Sequence, residues 1–161
     1  MTRDEEFMLE ALAEARLALA EGEVPIGAVA VREGKVVARG HNRRIALSDP
    51  TAHAEMMCLR DLGRREGMSV DLSGLTVYST LEPCAMCSGA MIHYRVARCV
   101  YGERDVLLGA AGSAMDILGR SKVKVADGVL RAECRELLLQ FFEKQLGRPA
   151  TRWEDIQLPD A

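Results

Sequence analysis

Nowhere among the 161 residues does an apolar run reach the length of a membrane span, so the chain is not expected to cross a bilayer. The amino terminus, Met1-Thr2-Arg3-Asp4-Glu5-Glu6, is too charged for a secretory signal. No long basic run is present and the net charge is −3. Bulk charge therefore neither requires nor forbids a nucleic-acid partner, and the local field at a site matters more. No internal repeat, low-complexity tract or linker interrupts the chain before its tail, and its length fits one domain with a proper core. The five cysteines are an odd number. Two of them are wanted as thiolates, so the expected location is the reducing cytoplasm. Cys58, Cys99 and Cys134 read as small buried apolar residues.

Against that background stand His53-Ala54-Glu55 and, about thirty residues later, Pro83-Cys84-Ala85-Met86-Cys87. They supply one imidazole, two thiolates and a spare carboxylate. A structural zinc is closed by four protein ligands, whereas a catalytic zinc keeps three and leaves the fourth position to water. His53, Cys84 and Cys87 make three, and no second well-spaced pair of Cys or His completes a closed shell. The expected cofactor is one Zn2+ per chain. Cys84 and Cys87 are three apart, so on a helix they share a face. Pro83 suits a helix start, where the positive dipole end favours thiolate over thiol. His53 and Glu55 are two apart, which predicts an irregular first turn with the Glu side chain reaching back. A lone Cys-x-x-Cys is also compatible with a thioredoxin-like redox pair, but such a pair has no use for the upstream His-x-Glu. The zincin arrangement of two His four apart on one helix is missing.

Apolar positions at Phe7, Leu9, Leu12, Leu17 and Leu19 predict an amphipathic helix from Arg3 to Glu21, ended by Gly22. Val24–Val31 and Lys35–Gly40 read as strands of a hairpin around Glu33-Gly34. Asp49-Pro50-Thr51 marks a loop into a helix from about Ala52 to Arg65. Strands follow at Leu75–Thr80, Ala97–Tyr101 and Lys122–Ala126, with helices at Cys84–His93 and Arg131–Leu146. Leu137, Leu138, Phe141 and Phe142 are expected on the core side of the last helix. The alternation argues an α/β fold, a three-layer sandwich with a central mixed five-stranded sheet flanked by helices. Both ligand segments start helices after loops, which puts the site along one sheet edge.

The spacing H-x-E…P-C-x-x-C is the known signature of zinc nucleobase deaminases. Zinc lowers the pKa of water from about 15.7 to near 7, and Glu55 is suited to carry that water's proton to a ring nitrogen. The remaining motifs resemble one branch of the cytidine/deoxycytidylate deaminase superfamily, the bacterial tRNA adenosine deaminases of the TadA type. These motifs are Val24-Pro25-Ile26-Gly27-Ala28-Val29, Gly40-His41-Asn42-Arg43, Asp49–Glu55, Thr80–Cys87, Gly89-Ala90-Met91-Ile92-His93 and Gly109-Ala110-Ala111-Gly112-Ser113. The resemblance runs from about Arg3 to Leu146. It implies a cytidine deaminase-like fold, conversion of the wobble adenosine of a tRNA anticodon to inosine, and a homodimer. Carried over by position, it implies that Asn42 and the Ala54 backbone contact the flipped nucleotide and that Asp105 lies along its channel. Arg43, Arg44, Arg60, Arg64, Arg95, Arg98 and Arg104 form either a phosphate-binding rim or a solvated face.

Two stretches depart from that branch. Gly119-Arg120-Ser121, between Leu118 and Lys122, is several residues shorter than its pattern. The tail, Gly147-Arg148-Pro149 and then Trp153-Glu154-Asp155-Ile156, is similar to the carboxy-terminal segment of fungal-type cytosine deaminases. That similarity implies residues 1–146 as the deaminase domain and 147–161 as a tail that closes over the site through Trp153 and Asp155. A closing tail suits a small free base or nucleoside such as cytosine or guanine, whereas an anticodon stem-loop needs an open rim. A packing role for Trp153 is the plainer alternative. A third reading, a catalytically silent RNA-binding subunit, is disfavoured by the intact Glu55.

Overall fold

The computed structural model describes residues 1–67 and 74–149. It contains α1 (Arg3–Ala20), β1 (Gly27–Arg32), β2 (Lys35–His41), α2 (Ala54–Glu66), β3 (Thr76–Leu81), α3 (Ala85–His93), β4 (Arg98–Glu103), β5 (Lys124–Asp127) and α4 (Arg131–Leu146). The five strands form one sheet in the order β2-β1-β3-β4-β5. β1 is antiparallel to both β2 and β3, while β3, β4 and β5 run parallel. Four strands therefore share a direction, and β2, β3 and β4 end on the same edge of the sheet.

Alternation along each strand splits the core into two layers, as a period of two requires. Ala28, Ala30, Val77 and Cys99 face α2 and α3, where Ala54, Cys58, Leu59, Leu62 and Met91 close on them. Val29, Val31, Tyr78 and Val100 face α1 and α4, against Met8, Ala11, Leu12, Ala15, Cys134 and Leu137. The architecture is the expected three-layer α/β sandwich with a mixed five-stranded sheet.

α1 begins with a capping box, in which the Glu5 amide donates to Thr2 Oγ1 at 3.2 Å and the Thr2 amide to Glu5 Oε2 at 2.7 Å. Its core face differs from the leucine stripe predicted for it. Leu9 and Leu17 are exposed, and Met8, Ala11, Ala15 and Ala18 are buried beside Leu12. The reason is close approach: a β-carbon on Gly27 would overlap the Ala11 carbonyl and the Ala15 amide, so small residues are needed where α1 crosses Gly27. Gly40 plays the same part on the other face, where a β-carbon would strike the Cys58 amide and the Ala54 carbonyl. α2 thus rests on the backbone of β2.

Glu33 and Gly34 both have positive φ, 49° and 73°, which suits the two-residue hairpin turn between β1 and β2. β1 starts three residues later than predicted. The Ile26 amide turns back to the Val24 carbonyl at 2.8 Å, which keeps Val24–Ile26 off the ladder. The short stretch 119–121 is a tight turn, closed by Gly119 donating to Asp116 and by Ser121 donating to Leu118. Among the described residues no helix is long and apolar enough to cross a membrane.

Candidate active site

The loops after β2, β3 and β4 meet at the shared sheet edge around a cleft of about 420 Å³. Its walls include Asn42, Arg44, His53, Ala54, Glu55, Leu81, Glu82, Cys84, Asp105 and Leu108. Val24 and Ile26 enter from the segment before β1, and Phe141, Phe142, Gln145 and Leu146 come from α4. The size and the apolar walls with few convergent polar groups suit a small ring.

His53 and Cys84 are the N-cap residues of α2 and α3, both with extended backbone and neither with a side-chain cap hydrogen bond. Their side chains are thus released from capping, and Cys87 lies one turn into α3. His53, Cys84 and Cys87 form a group whose ligand atoms all lie within 4.8 Å of one another. His53 Nδ1 is 3.5 Å from Cys84 Sγ and 3.6 Å from Cys87 Sγ. Zinc bonds of about 2.3 Å to sulfur and 2.0–2.1 Å to nitrogen, held tetrahedrally, separate the two donors by about 3.5–3.6 Å. The donor set fits one zinc ion. Two helix N-termini point at it, an arrangement that favours anionic sulfur. The Cys84 thiol is drawn down to about 4 by its hydrogen bond with Cys87 and, against burial, by that with His53. The His53 imidazole is raised above its ordinary value, first by the bond to Cys84.

Glu55 follows in the first turn of α2 and is only 4% exposed. Burial raises its carboxyl above the usual range, opposed by the nearby His53. Ser79 Oγ lies 2.8 Å from Glu55 Oε1 and donates to it. In place of the irregular first turn expected of His53-Ala54-Glu55 there is a helix boundary: His53 is the extended N-cap, and Ala54 and Glu55 begin α2.

Asn42, Ala54 and Asp105 are all brought to the cleft. Asn42 also serves its own loop, with Nδ2 donating to the Val24 carbonyl at 3.3 Å and Oδ1 accepting from the Arg44 amide at 3.4 Å. Asp105 Oδ1 accepts from the Leu107 and Leu108 amides, each at 3.1 Å, and burial raises its carboxyl. Of the seven arginines considered for a phosphate rim, Arg44 lines the cleft. Arg43, Arg60, Arg64, Arg98 and Arg104 pair with Glu21, Asp49, Asp61, Asp4 and Asp127. His41 sits between Glu14 and Glu21. Trp153 and Asp155 lie outside the described residues.

Sequence reasoning missed two buried polar residues as parts of the site. Glu82 is 2% exposed and accepts from the amides of Asp105, Ala111 and Ser113 and from the Ser113 hydroxyl. It fixes the loop carrying Asp105 and Leu108. Its place directly before Pro83-Cys84 was the available signal. Ser79 is fully buried on β3, where strand alternation says only that it points inward. Phe141 also turns out to line the cleft, although its periodicity suggested only core.

A group of three zinc donors beside a buried carboxylate suits the chemistry of a zinc hydrolase, in which the fourth position would be left to water. A family profile described as the cytidine and deoxycytidylate deaminase zinc-binding region matches residues 1–103. The tRNA-specific adenosine deaminase of Bacillus subtilis (strain 168) is 42% identical over 148 residues, covering 89% of this chain and 91% of that one. That of Haemophilus influenzae is 42% identical over 147 residues, covering 88% and 84%. The chloroplastic tRNA(adenine(34)) deaminase of Arabidopsis thaliana is 41% identical over 162 residues, and there the chain spans only 12% of the relative's length. The chain belongs to the cytidine and deoxycytidylate deaminase family, on the branch of the tRNA-specific adenosine deaminases, and is a hydrolytic deaminase. A solved structure from a study of A-to-I editing by tRNA:A34 deaminases superimposes with a TM-score of 0.75 at 40% identity, over 83% of this chain and 99% of that one. The guanine deaminase of Nitrosomonas europaea shares the fold, with a TM-score of 0.75 at 22% identity over 85% and 83%.

Proposed function

We propose that this chain converts the wobble adenosine of a tRNA anticodon to inosine, with water as co-substrate and ammonia as second product. The observation that carries the reading is the His53–Cys84–Cys87 group beside buried Glu55 in a cleft sized for one ring. The identity of about 42% with tRNA-specific adenosine deaminases along nearly their whole length supports the choice of substrate. In this reading His53, Cys84 and Cys87 hold the zinc, which when bound supplies hydroxide from water at neutral pH. Glu55 takes up the proton released from that water and delivers it to the ring nitrogen next to the amino-bearing carbon. It then takes the second proton from the hydroxyl now on the ring carbon and passes it to the amino group, which leaves as ammonia while the carbonyl forms, so one carboxylate serves as base and acid in turn. Burial raises its carboxyl and so makes it a stronger base toward the water than an exposed carboxylate would be. Asn42 and the Ala54 backbone orient the base by hydrogen bonds. Ile26, Leu81 and Phe142 supply apolar walls, and Asp105 lines the channel. Arg44 offers a cation to the substrate's phosphates.

The same proposal includes a cytoplasmic homodimer, supported by the family resemblance and by exposed Ile45, Leu47, Val106 and Leu107. It also includes the division into a deaminase domain, 1–146, and a tail, 147–161. One observation favours a second reading, in which the tail closes over a free base. α4 ends at Leu146 with Gly147 in the left-handed region, and Gln145 and Leu146 line the cleft. The tail therefore starts at the cleft rim. Ammonia release by the zinc-loaded chain, on an anticodon stem-loop and on a panel of free bases and nucleosides, decides between them. The expected result is release from the stem-loop alone, retained when the chain is cut after Leu146. Release from a free base alone, lost on that cut, overturns the tRNA reading.

A further inference from the structure

β3 carries Val77 and Ser79 two apart, so both point to the face covered by α2. Val77 packs among apolar residues there, and Ser79 is the polar exception, with no exposed surface. A buried hydroxyl in such a place is costly unless it is hydrogen-bonded. Ser79 Oγ has two partners, Glu55 Oε1 at 2.8 Å and the Leu81 carbonyl at 2.8 Å. The two side chains are twenty-four residues apart in sequence, so the bond ties the first turn of α2 to the central part of the sheet. Ser79 is thus the side chain through which the Glu55 carboxylate meets β3.

We propose that Ser79 is a positioning residue for Glu55, holding one carboxylate oxygen against β3 so that the other is presented to the reacting water and base. The inference rests on the role given to Glu55 above. A hydroxyl is suited to the task because it both donates and accepts. It can donate to the carboxylate, or accept from the carboxylic acid while donating to the Leu81 carbonyl. Either way the Glu55 side chain keeps the same anchor on β3. An apolar side chain offers no anchor, and a carboxylate left free to turn spends less time in the productive orientation.

The test is a set of four variants, Ser79→Ala, Ser79→Val, Ser79→Thr and Glu55→Gln, each assayed for kcat, KM, zinc content per chain and thermal midpoint. Thr and Val have nearly the same shape and differ in the hydroxyl, so the pair separates anchoring from packing. The expected result is a kcat lower by about tenfold in Ser79→Ala, and in Ser79→Val relative to Ser79→Thr, the size of one hydrogen bond to a charged group. KM and zinc content should stay level across the set, and a crystal structure of Ser79→Val should show the Glu55 carboxylate turned away from β3. Equal loss in Val and Thr, or full kcat in Ser79→Ala with Glu55→Gln inactive, overturns this inference alone. Full activity in Glu55→Gln removes the role of Glu55 and this inference with it.

Discussion

Glu55 and Glu82 are two glutamates buried to nearly the same degree on the same cleft, and they have opposite surroundings. Glu82 accepts from three amides and a hydroxyl, which spend both of its oxygens on the loop between Asp105 and Ser113. Glu55 has the Ser79 hydroxyl and the Cys87 thiol as neighbours, and burial dominates its chemistry. A carboxylate whose oxygens are all taken up by donors from one loop serves as a strut for that loop. Glu55 has fewer donors, and burial raises its carboxyl above the ordinary value. Both are buried, so it is the number of donors, more than burial, that separates their surroundings.

The comparison breaks first at Glu55. Glu55→Gln keeps the shape and should lower ammonia release by about 10²–10⁴-fold, with zinc content and thermal midpoint unchanged. Glu82→Gln should do the reverse in kind. It leaves amide donors without a charged acceptor and should cost about 2–3 kcal/mol in chemical denaturation, while zinc is still bound. A large activity loss without loss of stability in Glu82→Gln would erase the distinction. The smallest effect sharpens the contrast with an acid far from the cleft. Asp4 receives two bonds from the Arg98 guanidinium and one from the Tyr78 hydroxyl, and the Arg98 bond holds its carboxyl below the ordinary range. Its folded value is depressed, so its contribution is fully present above the unfolded value of about 3.9 and is lost as pH falls through the folded value. Asp4→Asn should therefore be less stable than the parent at pH 7 by about 1 kcal/mol. That gap should close as the pH drops below about 4. A gap that persists in acid would show that packing, rather than charge, is at work.

The sequence was most readable where chemistry is carried by local spacing. His53, Cys84 and Cys87 were visible through the two short motifs His-x-Glu and Pro-Cys-x-x-Cys, which the structure brings together as one donor group, and the element order followed from periodicity. Element ends were less readable, since Val24–Ile26 is strand-like in composition and leaves the ladder only through a turn back to Val24. The core face of α1 was misjudged because the distance to β1 is set by Gly27, a residue in another element. Ser79 and Glu82 were missed for a related reason: their partners lie 24 and 23–31 residues away, beyond any local pattern.

Gly40 carries a consequence for how far the metal centre can drift. With no side chain between β2 and the start of α2, their spacing is fixed by contact between backbone atoms, the least compressible spacer a protein has. His53 stands one residue before that contact. Substitutions that loosen or swell the leucine and valine layers can tilt the far end of α2, but they act about a fulcrum seated next to the imidazole. The ligand is thereby insulated from most of the repacking that a core undergoes as its sequence changes.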